Sequence, residues 1–193
     1  DYFHNPGQGY WRRVSTEILI RTGNEVKWST AYHLLDAAGQ PVMLETQVWS
    51  MRDTGSRYLL DLEWTGQALT DLTIAEAAYG GLFVRMPWRQ GIEGAVVNGS
   101  RQRNERANGQ RAVWVDVGLK VEGRNDLAHI ALLDHPLNNG YPLPWRVDPQ
   151  LGVGPSRATL GEWKIPRGKP AIFRHQLVVY TGAFNDVAID EAW

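Results

Sequence analysis

The sequence predicts an all-β fold, an antiparallel β-sandwich with little helix, and three observations predict it. Turn signals recur at short intervals. The runs between them show period-two alternation or continuous apolar strand character. Helical periodicity is scarce.

The turns come first. Thr22-Gly23-Asn24, Ala38-Gly39-Gln40-Pro41, Asp53-Thr54-Gly55, Asn98-Gly99, Asn108-Gly109, Glu122-Gly123 and Arg167-Gly168 each supply residues that tolerate tight backbone bends. Residues 42–49 open apolar and then alternate. Residues 58–64 end in alternation, with Leu60, Leu62 and Trp64 on one face and Asp61 and Glu63 on the other. Residues 112–117 and 129–133 read as buried strands, and residues 173–180 as another before Thr181-Gly182. Residues 71–78 contain helix formers, but the stretch is short, and a strand or loop fits it equally. Residues 185–193 suit one short helix capped by Asn185. Many short strands with regular turns argue for a sandwich. No internal repeat or low-complexity linker divides residues 1–193, so a single domain is expected. The chain opens at Asp1 rather than a methionine. Either a leading segment was removed, or the chain is a piece of a longer product.

A net charge of -1 offers no field for nucleic acid or an anionic membrane, and no stretch is long and apolar enough to span a bilayer. The absence of cysteine excludes disulfides and thiolate chemistry, but it does not choose a compartment. Nine tryptophans and seven tyrosines suit pleated, half-buried surfaces, and tryptophan is also common where sugars stack.

Three segments can carry chemistry. In Tyr79-Gly80-Gly81-Leu82-Phe83-Val84-Arg85-Met86-Pro87, two glycines allow close backbone approach. The planar fork of Arg85 suits a carboxylate or sugar hydroxyls, or else an internal salt bridge. In Leu133-Asp134-His135-Pro136-Leu137-Asn138, running into Tyr141-Pro142-Leu143-Pro144-Trp145, polar groups cluster where a buried strand ends, and prolines stiffen the loop beyond it. His135 suits proton transfer near neutral pH, with Asp134 to orient it. The same residues also suit a turn whose Asp and Asn satisfy local backbone groups. The third is a loose set of carboxylates, Glu45, Asp61, Glu63, Glu76 and Asp116. Two of these facing one cleft would serve as acid and base on a sugar. Asp116 lies among apolar neighbours and needs a partner.

Phosphate-cradling loops, dinucleotide fingerprints, nucleophile elbows and the His-Glu-x-x-His zinc motif are absent. Five histidines show no tight ligand spacing, so no metal site is assigned and the cofactor is left unknown; a metal site drawn from scattered strands, with His135 as a ligand, is the alternative. Asn98-Gly99-Ser100 fits a glycosylation sequon.

On several stretches together the chain resembles the bacterial domain family labelled "methane oxygenase PmoA-like", a family of unknown function. They are Asp1-Tyr2-Phe3, Leu44-Glu45, residues 79–86, residues 109–116, Asp134-His135-Pro136-Leu137-Asn138 through Trp145, and the closing run 173–182. Two departures stand out. A His-rich segment that precedes the position of Asp1 in that family is missing, so the chain resembles the C-terminal two-thirds of a member. Asn139-Gly140-Tyr141 also stands where members often carry Pro-Arg-His. The oxygenase label implies no methane chemistry, since membrane methane oxygenase subunits are helical and embedded. The resemblance implies a galactose-mutarotase-like supersandwich and, because members accompany sugar-processing enzymes, a carbohydrate ligand.

The leading expectation is therefore a carbohydrate-active β-sandwich protein of epimerase, lyase or hydrolase type. His135, Asp134, Glu45 and Asp116 would supply acid/base chemistry, and Arg85, Asn138, Trp145 and Tyr79 would bind the sugar. The alternatives are a non-catalytic carbohydrate-binding or structural module, or an incomplete fragment. The expected partners are a small sugar and, for assembly, a second copy or a missing N-terminal chain, with neither nucleic acid nor membrane.

Overall fold

Alternating side chains and tight turns set up a meander at the start of the chain. The computed structural model describes residues 4, 5, 7 and 9–192. The Asp1-Tyr2-Phe3 match and Trp193 lie outside the described residues. Strands β1 (Trp11–Arg21), β2 (Glu25–Leu35), β3 (Pro41–Asp53) and β4 (Tyr58–Ala68) pair antiparallel in sequence order. Side chains build the turns between them. The Asp36 carboxylate accepts the Ala38 and Gln40 amides, and that of Asp53 accepts the Gly55 amide.

The rest of the chain comprises β5 (Leu72–Ile74), β6 (Gly94–Asn98), β7 (Trp114–Lys120), β8 (Leu127–Asp134), β9 (Trp145–Val147), β10 (Val153–Pro155), β11 (Trp163–Ile165), β12 (Pro170–Gly182) and helix α1 (Asp186–Ala192). Strand β12 runs between β4 and β8 and joins two blocks into one eight-stranded sheet, ordered β1-β2-β3-β4-β12-β8-β7-β6. The fold is all-β and antiparallel, as expected.

The second layer of the sandwich is smaller and broken into pieces. It consists of the ribbons β9–β10 and β5–β11 and the coil of residues 75–93. The physical reason is local. Pro142, Pro144 and Pro155 lack amide donors, and Gly152 and Gly154 lie against Phe83, so no long ladder forms there.

The inner face of the sheet packs on this layer. Val96, Val115, Val117, Leu132 and Leu177 meet Trp145, Val147 and Val153, while Met43 and Ala68 meet Ile165. On the outer face, α1 covers Trp114, Ala131, Leu133 and Val178 through Ile189. Asn185 caps this helix by accepting the Ala188 amide, as the sequence suggests.

The two borders of the sheet contrast. At β6 the Val96 amide donates to the Asn104 side chain and the Asn98 amide to the Gln102 carbonyl, so that edge is sealed. At β1 no strand lies beyond among the described residues, and Val14, Ile18, Leu19 and Ile20 are exposed. Two bulges twist that edge. The sequon is sealed too. Asn98 is fully buried, accepting the Ser100 and Gln102 amides and donating to the Gln102 side chain, so it presents no glycan acceptor in the folded protein.

Candidate functional site

Register decides which side chains share the inner face. Glu45, Gln47 and Trp49 alternate along β3, opposite Gly66, Trp64 and Leu62 of β4. These in turn sit opposite Ala171, Phe173 and His175 of β12. Beneath the β5–β11 ribbon and the coil of residues 75–83, this stretch of sheet floors a cavity of about 600 Å³. Tyr79, Phe83, Leu143, Arg157 and Trp163 close it from above. That size suits a small organic ligand.

A relay of hydrogen bonds runs along β3. The Trp49 indole donates to the Gln47 carbonyl oxygen at 3.1 Å, which fixes the amide so that its NH2 group donates to Glu45 at 2.6 Å. Glu45 is 2% exposed. Burial pushes its pKa up, and the Gln47 amide and Trp64 indole pull it partly back. Trp64 reaches this acid because Gly66 leaves room. A Cβ at Gly66 would collide with the Trp64 ring and the Met43 sulfur.

His175 lies at the other end of the floor. Two strand spacings and four residues along the strand separate it from Glu45, roughly 16 Å between Cα atoms, so the two form no dyad. Burial lowers its pKa to about 4, against a smaller upward pull from the Leu133 backbone, so the imidazole is neutral at pH 7. Its Nδ1 is buried without a hydrogen-bond partner, 3.7 Å from Asp134, and the buried Trp163 indole N–H on the roof also has none. Two such atoms, in residues that line one cavity, are a cost to the folded state.

The structure separates the expected site residues. Glu45 and Tyr79 line the inner cavity. Asp134 and His135 line a groove of about 530 Å³ on the outer face, where Glu63 pairs with Arg174 and Asp61 with Gln176. Arg85, Asn138, Trp145 and Asp116 line neither.

Most of these take structural roles. The Asp134 carboxylate accepts the His135 and Leu143 amides and the Asn138 side chain, and Asn138 also clasps the Arg174 backbone. His135 Nδ1 accepts the Leu137 amide. This is the turn that the sequence offered as the alternative to catalysis. Trp145 is sealed in the core with its indole donating to the Ala112 carbonyl, so it offers no stacking face. Arg85 forms the internal pair, binding Asp148 at 2.6 Å and Gln150 at 3.0 Å. Asp116 has the partners its burial demands, His129 and Tyr180.

Sequence reasoning missed Gln47, Trp64, Trp163 and His175 as site residues. Period-two spacing from Glu45 points to Gln47 and Trp49. Nothing local announces His175 or Trp163, which pairing brings in from distant segments.

A family model described as "Family of unknown function (DUF6807)" matches residues 1–193. No curated protein is significantly similar in sequence. Among solved structures, the alpha-galactosidase from Lactobacillus brevis is similar at 11% identity and a TM-score of 0.40, over 90% of this chain and 27% of that one. The chain thus spans about a quarter of that enzyme's length, and the cavity is the guide to function.

Proposed function

The chain belongs to the DUF6807 family of unknown function, and from that premise we propose that it binds a neutral sugar or glycoside in the inner-face cavity and moves a proton on it through Glu45. The observation that carries this reading is a buried carboxylic acid of raised pKa on the floor of an aromatic-walled cavity. Trp64, Phe173, Trp163 and Tyr79 supply flat apolar surface for the C–H faces of a sugar ring. Glu45 and Gln47 form a polar pole for hydroxyls.

The chemistry comes from where the acid sits. A carboxyl group with its pKa raised by burial holds a proton nearer neutral pH than an ordinary glutamate. It then protonates a leaving oxygen, or takes a proton from a ring carbon or hydroxyl. Gln47 holds the acid in one orientation, and the roof excludes water. The neutral imidazole of His175 is too distant to act on the same atom and serves as a ligand contact. The PmoA-like resemblance supports the same reading through that family's sugar-processing company. The PmoA-like label itself contributes no chemistry.

Calorimetric titration with a panel of neutral sugars and their methyl glycosides tests the proposal. Wild type is expected to bind at least one of them. Trp64→Ala should weaken that binding by roughly tenfold or more. Glu45→Gln should keep binding while removing any turnover. Absence of binding across the panel, or binding indifferent to Trp64→Ala, would sink the idea.

A further inference from the structure

The aromatic floor does not stop at the cavity wall. The row that holds Leu62 and Trp49 continues across the inner face to Trp28 of β2 and Ile18 of β1. The next row runs from Gln47 to Thr30, and the one after from Glu45 to Tyr32. Trp28 lies parallel to Trp49, with ring centroids 6.2 Å apart and planes 11° from parallel. Tyr32 is held edge-on by Trp11 at 6.0 Å and 85°. Trp28, Thr30 and Tyr32 are all half-buried, whereas the inner-face residues of β6, β7 and β8 are mostly sealed under the second layer. A shelf of two aromatic rings and a hydroxyl therefore adjoins the polar pole of the cavity.

Resting on the sugar reading above, we propose that the ligand is an oligosaccharide or glycoside of at least two units. One unit sits in the cavity against Trp64 and Glu45, and the next rests on the shelf formed by Trp28, Thr30 and Tyr32. The spacing fits. Register puts Trp28 and Trp64 two strands apart and one pleat repeat along, roughly 12 Å between Cα atoms, the reach of two linked rings. Gln47 stands on the strand between the two positions, with Glu45 one pleat repeat further along β3. Ordinary cross-strand packing also pairs tryptophans on a sheet, so the experiment must separate packing from recognition.

The test is titration of the intact protein with methyl galactosides and glucosides and with the corresponding di- and trisaccharides. Affinity should rise roughly tenfold from one unit to two. Trp28→Ala should abolish that increment and leave the monosaccharide's affinity unchanged. Thr30→Arg, which fills the shelf without touching the tryptophan pair, should do the same and keeps the test valid if Trp28→Ala fails to fold. Equal affinity for one and two units overturns the inference and leaves the sugar reading standing. So does an equal loss for both lengths in either variant. Absence of binding at every length removes both.

Discussion

Two carboxylic acids are buried on opposite faces of one sheet, Glu45 at 2% exposure and Asp116 at 1%, and their surroundings differ. Asp116 binds His129 Nδ1 at 2.8 Å and accepts the Tyr180 hydroxyl at 2.9 Å, and the two rings stack at 4.6 Å. The absence of a side chain at Gly118 makes room for the His129 ring. Burial, reinforced by the Asp116 charge, pushes the Tyr180 phenol far up, so it stays a donor. Neither the inner cavity nor the outer groove reaches this cluster. Glu45 has an amide and an indole beside it and a cavity in front. Depth alone therefore does not mark a functional acid. What sets Glu45 apart is the cavity it lines, which Asp116 lacks.

That contrast can be broken by measurement, beginning with the largest effect. Asp116→Ala leaves a buried imidazole and phenol without their acceptor and should cost about 3–5 kcal/mol in urea unfolding. A loss under about 1 kcal/mol would deny the cluster its structural role. The next effect concerns pH. The pKa of His175 is about 4 in the folded protein against an ordinary value of 6.5. As pH falls below 6.5, the unfolded chain takes up a proton that the folded chain refuses. Stability should therefore drop by roughly 3 kcal/mol between about pH 6.5 and about pH 4. Glu45 and Asp134 work in the opposite sense, since their raised pKa values let the folded state gain protons first. Urea midpoints at pH 7 and pH 4.5 should converge in His175→Asn, and an unchanged difference rejects the assignment.

Gly66→Ala should cost about 1–3 kcal/mol by overpacking and, by displacing Trp64, should weaken sugar binding more than it weakens the fold. A variant that binds normally would show that Trp64 does not shape the site. The smallest effect is the most diagnostic. Glu45→Gln keeps an acceptor for Gln47 and removes a charge that burial disfavours, so thermal melts at pH 7 should match or exceed wild type. Destabilisation as large as that of Asp116→Ala would place Glu45 among the structural acids.

Much of the sheet was legible because alternation is local. Leu60, Leu62 and Trp64 share a face as the sequence suggests, and residues 42–49, 129–133 and 173–180 lie inside β3, β8 and β12. The first hairpin, β1 with β2, was not read from the sequence. In β2 the period-two set Val26, Trp28, Tyr32 and Leu34 carries the signal, but the mostly exposed β1, with Arg12, Arg13 and Thr16, lacks a clean apolar period. The site was less legible. Glu45 and Tyr79 reach the cavity, but the dense Asp134–His135–Asn138 cluster is a turn, because polar crowding at a strand end satisfies backbone amides as readily as substrates. His175 and Trp163 join the site only through pairings set by residues far away in sequence.

The position of β12 has a consequence for how the molecule is made. The middle of the sheet is supplied by residues that follow every other strand in the chain. Until residues 170–182 emerge, β4 and β8 each present an open margin, and the cavity lacks Phe173 and His175. Such high contact order makes assembly slow, with two half-sheets waiting for one late insertion to unite them.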